Sequence, residues 1–158
     1  MDKDTRKKMV DQYKDGYRVV AEALTGATDE ELDARPAPGK WTAREIAHHL
    51  ADSEMTSAIR LRLLIAMPAP IIAGYDQDEF ARRLFYDRPI EGSLEAFKAA
   101  RRSTAEILDR LADADWARKG SHSEHGAYDV ERWLEIYAGH AHQHAAQIKV
   151  ARDSARKP

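Results

Sequence analysis

The chain has 158 residues, of which 43% are hydrophobic and 33% are charged, which is typical of one soluble globular domain with a core of its own. Its 25 Lys and Arg residues nearly balance 27 Asp and Glu residues, and the net charge of −2 argues against a nucleic-acid partner, which needs a clustered basic surface. Because the chain contains no cysteine, disulfides, cysteine nucleophiles and Cys-ligated zinc are excluded, and any metal must be held by His, Asp or Glu.

The chain begins with a charged segment, MDKDTRKKMVDQYKDGY, that lacks the apolar centre of a signal peptide. The longest apolar run, residues 61–72, is interrupted by two prolines and is too short to cross a membrane. We therefore expect a single domain over residues 1–158, located in the cytoplasm and without membrane contact. Apolar residues at helical spacing predict a first helix over about residues 5–24, on the stripe Val10, Tyr13, Tyr17, Val20 and Leu24.

Two capping boxes mark the next elements. Thr28 and Glu31 form the first, which predicts a short turn of helix before a loop rich in Pro and Gly. Thr42 and Glu45 form the second, and Trp41 before the cap can pack on a residue four positions after it as a hydrophobic staple. The helix that starts here should run to about residue 67, where the two prolines end it.

Three further helices follow in the sequence. We expect a short helix over residues 76–87 within a long connection, and a third long helix from about Ser93 through Leu111. The fourth should run from Asp129 to about residue 152, with a frayed tail over residues 153–158. Strand signals are nearly absent. The sequence therefore predicts an all-α four-helix bundle with short extra helices in the connections, and places the functional centre between the helices.

Two of the seven histidines, His140 and His144, are four residues apart on the fourth helix. Both therefore project from one face, one turn apart, which is the spacing by which a helix supplies two imidazoles to a single metal. The same face is predicted to point inward because it also carries apolar and aromatic residues: Trp133, Tyr137, Ala141 and Ile148.

A third histidine, His49, lies on the inward stripe of the second long helix, whereas its neighbour His48 is rotated by about 100° toward the rim. Three buried imidazoles need hydrogen-bond partners or a metal to offset their desolvation. The sequence thus suggests a metal held by His49, His140 and His144. The structural alternative, that each is a satisfied core histidine, remains open at this stage.

Other polar residues have ordinary structural interpretations. We expect His142 to be solvated on the outer side of its helix. His122 and His125 lie in a loop, where we expect them to face water, with the mouth of a pocket as the alternative. Glu54 is interpreted as a surface acid. Tyr137 and Gln147 could orient the imidazoles through hydrogen bonds, and the connection between residues 68 and 89 could line a pocket.

The segments KWTAREIAHHLADSEMTSAIRLRLL and YAGHAHQHAAQI resemble the DinB/YfiT-like family of metalloenzymes. The resemblance extends from about residue 41 to residue 150 and rests on the Trp-Thr start, the His-Leu pair and the His-x-x-x-His followed by Gln-Ile. It implies a four-helix bundle in which three histidines hold a metal, commonly zinc or nickel. His49 corresponds to the ligand on the second helix because it precedes Leu50, and His140 and His144 correspond to the pair on the fourth.

Several functions are compatible with such a site. Because structural zinc sites use four protein ligands, a site with three leaves a position for water or substrate and is typical of catalysis. The resemblance implies a transferase that joins a low-molecular-weight thiol, such as bacillithiol or mycothiol, to an electrophilic small molecule, and it also implies a homodimer. The alternatives are a hydrolase in which the metal lowers the pKa of bound water, a non-catalytic metal-binding stress protein, and a helical interaction module.

Overall fold

Four long helices form the body of the protein in a computed structural model that describes residues 1–156. The helices in chain order are α1 (Lys3–Leu24), α2 (Asp29–Asp33), α3 (Ala43–Ala66), α4 (Gln77–Arg83), α5 (Glu91–Leu108), α6 (Asp113–Trp116) and α7 (Val130–Ser154), and the strands are β1 (Ile71–Ile72), β2 (Lys119–His122) and β3 (Gly126–Asp129). The predicted four-helix bundle with short helices in its connections is confirmed.

The long helices α1, α3, α5 and α7 are not arranged in chain order around the bundle. α1 packs along α7, α7 along α3, α3 along α5, and α5 along α1. The chain therefore crosses the diagonal of the bundle between α1 and α3, and again between α5 and α7. As a result α3 and α7, which carry the three candidate metal ligands, are neighbours. Within residues 1–156, none of the helices has both the length and the apolar character needed to span a membrane.

Helix α3 begins at the predicted capping box. The hydroxyl of Thr42 accepts a hydrogen bond from the backbone N–H of Glu45 at 3.1 Å, and the Glu45 carboxylate accepts one from the backbone N–H of Thr42 at 2.8 Å. Two of the donors left unpaired at the helix start are satisfied in this way. The box fixes the residue at which α3 begins and thereby the direction in which His49, on its second turn, projects.

Replacing Thr42 with alanine should lower the free energy of unfolding by about 1 kcal/mol, because the cap loses its acceptor. The matched control is Thr56→Ala in the middle of the same helix, where the hydroxyl only bonds back to the carbonyl of Asp52. That change should be neutral or slightly stabilising, since alanine is the better helix former. Urea unfolding of both variants measures the difference, and equal stabilities would contradict a role for the cap.

A three-stranded sheet closes one end of the bundle and was not expected from the sequence. β1 pairs in parallel with β2, and β2 pairs antiparallel with β3, with Gly120 opposite Tyr128. Strands of two to four residues are too short to show an alternating pattern. Gly126 has a positive φ of 73° at the start of β3, a conformation that favours glycine. The sheet places His122 and Tyr128 beneath the ends of α3 and α7.

Several helix boundaries differ from those predicted. The short helix predicted over residues 76–87 ends at Arg83. α5 ends at Leu108, so Leu111 lies outside the third long helix. Leu111 packs against the apolar core from a turn, and its helical spacing therefore reflected core contact rather than a continuing helix. α7 continues to Ser154, so residues 153 and 154 of the tail that was predicted to fray are helical, and residues 157–158 of that tail lie outside the described residues.

Candidate metal centre

The imidazoles of His140 and His144 face each other on the inner side of α7. Their Nε2 atoms are 3.1 Å apart and their ring centroids are 4.5 Å apart. This side of the helix is buried, as the predicted inward face requires, through Trp133, Tyr137, Ala141 and Ile148. The two rings therefore project together into the bundle from successive turns.

Helix α3 contributes the third imidazole. His49 is 4% exposed, and its ring centroid lies 4.8 Å from that of His144 and 5.4 Å from that of His140. One nitrogen from each of the three rings lies within 4.8 Å of the others. The ring of Trp41 meets that of His49 edge-on, with the centroids 4.7 Å apart. The structure thus brings together all three residues that the sequence suggested as metal ligands.

Burial keeps these imidazoles neutral. Desolvation and the nearby His144 lower the pKa of His49 to about 3, and desolvation together with its histidine neighbours and Arg101 lowers the pKa of His140 to about 2. Desolvation also lowers the pKa of His144, against an opposing hydrogen bond with Gln147. At neutral pH each ring therefore has a nitrogen lone pair available, the state in which histidine binds metals.

The arrangement fits a divalent cation. Two imidazole nitrogens bound to one tetrahedral zinc at about 2.0–2.1 Å are about 3.3 Å apart, close to the 3.1 Å between His140 and His144. Among residues 1–156, the buried Nδ1 atom of His49 has no hydrogen-bond partner. Desolvated nitrogens without partners cost stability, and coordination to a cation would compensate part of that cost.

The three imidazoles border two pockets. The smaller, of about 220 Å³, is lined by His49 and His140 together with Arg60, Tyr75, Gln77, Tyr128 and Tyr137. The larger, of about 800 Å³, is lined by His144 and by a more apolar set that includes Trp41, Ile46, Gln147 and Val150, and it also contacts Gln77. Tyr75 and Gln77 come from the connection that was expected to line a pocket.

A second cluster lies at the hairpin between β2 and β3, where ligand atoms of His122, Glu124 and His125 also approach within 4.8 Å of one another. The expectation that both histidines face water is wrong for His122, which is buried in β2, whereas His125 is exposed. Both line the smaller pocket, as the alternative predicted. Their rings are stacked with an interplanar angle of 18°, and Nδ1 of His122 accepts a hydrogen bond from the backbone N–H of Glu124. Lone pairs in nearly parallel planes do not converge, so this cluster suits a cation less well than the first.

Two other histidines belong to the packing of the bundle. His48 was expected at the rim, but it is fully buried, and its ring nitrogens contact the hydroxyl of Ser93 at 2.7 Å and the carbonyl of Arg88 at 2.9 Å. The chain before α5 covers this side of α3, which the helical rotation alone could not show. His142 is half-buried rather than solvated and contacts the carbonyl of Gln12 at 3.1 Å.

A buried polar cluster below the imidazoles was missed at the sequence level. Glu54 is 2% exposed rather than a surface acid; its carboxylate accepts a hydrogen bond from the Tyr13 hydroxyl and lies 3.3 Å from Nε of Arg101. Arg101 also donates to the backbone carbonyl of Tyr137 at 3.0 Å. The four residues belong to α1, α3, α5 and α7, so the cluster joins all four long helices one turn from His140.

Arg60 was also missed, although a signal for it exists. It follows His49 by 11 residues, three helical turns, and therefore lies on the same side of α3. Helical spacing from a suspected ligand could have identified it. For Tyr128, which precedes the cap of α7, no comparable local signal exists, since its place beside the site depends on the sheet.

Comparisons with known proteins agree with this geometry. A family model described as the DinB superfamily matches residues 12–148. A protein of Oceanobacillus iheyensis named "Putative metal-dependent hydrolase" is 34% identical over 139 residues, covering 88% of this chain and 81% of the relative. A protein of Bacillus mycoides with the same kind of name is 27% identical over 146 residues, covering 92% and 84%.

A solved structure has the same fold. YfiT from Bacillus subtilis, described as a "probable metal-dependent hydrolase with an unusual four-helix bundle topology", superposes with a TM-score of 0.89 at 28% identity. The match covers 97% of this chain and 89% of that one.

Proposed function

The chain belongs to the DinB superfamily, and from this premise we propose that it is a metal-dependent hydrolase that holds zinc or nickel through His49, His140 and His144. The observation that carries the proposal is the convergence of three neutral imidazoles beside two pockets, that of His49 from α3 buried and those of His140 and His144 from α7 partly buried. The names of the relatives support the hydrolase class. Imidazole nitrogens suit both zinc and nickel, and the structure does not favour one over the other.

A divalent cation at this site supplies Lewis-acid chemistry: it lowers the pKa of a coordinated water or thiol and polarises a carbonyl. The protein supplies binding and orientation. Within residues 1–156 the cluster offers three ligands, His49, His140 and His144, so a bound cation would keep a coordination position for a small molecule from either pocket. Gln147 can orient the ring of His144, and Tyr137 packs edge-on against His140 with ring centroids 5.9 Å apart.

The test is hydrolysis of a panel of activated esters and amides by zinc-loaded, nickel-loaded and metal-stripped protein. We expect turnover only with metal, restored when metal is returned, and lost in a His140→Ala variant. Equal rates with stripped and loaded protein would contradict a metal-dependent hydrolase. A His142→Ala variant is the control, since His142 contacts the carbonyl of Gln12 on the other side of α7 and lines neither pocket.

We infer a second candidate function, transfer of a low-molecular-weight thiol to an electrophilic small molecule, from the presence of two pockets at one site. His49 and His140 line one pocket and His144 lines the other, and a transferase needs room for two substrates. Thiol-dependent loss of an electrophile in the same assay panel would favour the transferase over the hydrolase. Failure of both reactions with metal bound would leave a metal-binding protein without turnover. The predicted homodimer stays a prediction.

A further inference from the structure

The hydroxyl of Tyr128 is an unpaired hydrogen-bonding group next to the candidate metal centre. Tyr128 is 3% exposed and lines the smaller pocket together with His49 and His140. In the part of the chain that the structure describes, its hydroxyl has no hydrogen-bond partner, although the hydroxyl of Tyr137 lies nearby. Leaving a buried hydroxyl unpaired costs stability, and phenylalanine would fill the same space without that cost.

Arg60 adds a positive charge to the same pocket. Its guanidinium donates to the Tyr137 hydroxyl at 3.1 Å and to the carbonyl of Ala73 at 2.7 Å, and it lies over the ring of Tyr75 at 5.6 Å. These contacts hold the side chain in place without neutralising it, because both acceptors are uncharged. Its Nε is buried and, among residues 1–156, has no partner.

Within the described residues, two unpaired groups at this pocket, the hydroxyl of Tyr128 and Nε of Arg60, can each donate a hydrogen bond. Burial raises the pKa of Tyr128 well above its ordinary value, and burial also raises the pKa of Tyr137, so both hydroxyls remain protonated at neutral pH. Glu124, a carboxylate that lines the pocket, is exposed and lies 4.0 Å from His125. A ligand that pairs with the Tyr128 hydroxyl and with Nε of Arg60 must accept hydrogen bonds. The positive charge of Arg60 favours an anion.

We propose that Tyr128 and Arg60 bind an anionic oxygen of the substrate in the smaller pocket, beside His49 and His140. The oxygen belongs either to a carboxylate or to the oxyanion that develops when a carbonyl is attacked. A volume of about 220 Å³ limits the bound group to a small acyl or carboxylate fragment. This proposal names the substrate class for the site of the proposed function. Binding of an oxyanion rests on that function, whereas binding of a carboxylate does not.

The experiment compares Tyr128→Phe with wild type in acetate binding, measured by calorimetry on zinc-loaded and on metal-stripped protein. Loss of a hydrogen bond to a charged ligand corresponds to a rise of about tenfold or more in the dissociation constant for acetate. The midpoint of thermal unfolding should stay the same or rise, because an unpaired hydroxyl has been removed. A hydroxyl with a purely structural role would instead lower the midpoint and leave acetate affinity unchanged, which would overturn the proposal.

The matched control is Tyr86→Phe, a buried tyrosine outside this pocket whose hydroxyl donates to Asp52 at 2.7 Å. Its unfolding midpoint should fall while acetate affinity stays at the wild-type value. Absence of acetate binding by the zinc-loaded wild type would also overturn the proposal. If the protein proves not to be a hydrolase, an effect of Tyr128→Phe on acetate binding still supports a carboxylate. If it is a hydrolase, a raised KM for an ester that carries a free carboxylate supports binding of the carboxylate, and a lowered kcat supports binding of the oxyanion.

Discussion

Replacing His140 and His144 together with alanine is expected to abolish the binding of about one divalent cation per chain. The two rings supply two of the three nitrogens that lie within 4.8 Å of one another, and His49 alone cannot hold the ion. Loss of a residue that merely orients a ligand costs about 10–100-fold in metal affinity, so loss of two ligands should exceed that range. Elemental analysis of purified protein, followed by titration of stripped protein with zinc and nickel, measures the effect.

The control for this prediction lies between the two ligands on the same helix. His142 points to the other side of α7, where it contacts the carbonyl of Gln12, so His142→Ala should keep the wild-type metal content. Retention of stoichiometric metal by the double variant would place the site elsewhere, with the cluster of His122, Glu124 and His125 as the next candidate. Absence of metal from the wild type after incubation with both ions would refute the metal centre.

The second large effect is expected from Arg101→Met, which should destabilise the protein at pH 7 by about 3–5 kcal/mol. Arg101 is 2% exposed, and its loss leaves the equally buried carboxylate of Glu54 without a counter-charge. The side chain is also closely surrounded: a methyl group added at Gly16 would lie 2.1 Å from its guanidinium. Urea unfolding at pH 7 measures the change in the free energy of unfolding. A loss below about 1 kcal/mol is usual for an exposed residue and would contradict the role of Arg101 as the buried counter-charge of Glu54.

The stability lost on replacing Arg101 with methionine should depend on pH. Burial raises the pKa of Glu54, opposed in the wild type by Arg101, so removal of Arg101 leaves the raising effect of burial unopposed. A carboxyl whose pKa is higher in the folded than in the unfolded chain favours folding while it is protonated, and this contribution is lost as the pH rises through the folded pKa. The loss of stability in the Arg101→Met variant should therefore be smaller at about pH 4 than at pH 7.

A double variant separates the loss of the charge pair from the loss of packing. Glu54→Gln combined with Arg101→Met removes both charges, and should recover at least about 1 kcal/mol of the single-variant deficit. Strict additivity of the two single changes would show that the two side chains do not interact energetically.

Much of the fold follows from local sequence features. The capping box at Thr42 positions the start of α3, and the four-residue spacing places His140 and His144 on one face of α7, because both effects operate within a few residues of the chain. The inward stripe of the second long helix then indicated His49 as the partner from α3, and the resemblance to a known family agreed with it. The three-stranded sheet could not be predicted, since strands of two to four residues carry no periodic signal.

The sequence by itself determined where the four long helices lie, where the capping box starts α3, and which histidines share one face of a helix. The tertiary structure alone decided what covers each helix face. For that reason His48 is buried against the chain before α5, Glu54 pairs with Arg101 in the core, and Tyr128 reaches the pocket from the sheet. Burial, and with it the pKa and the hydrogen-bonding state of a polar group, is set by residues far away in the sequence.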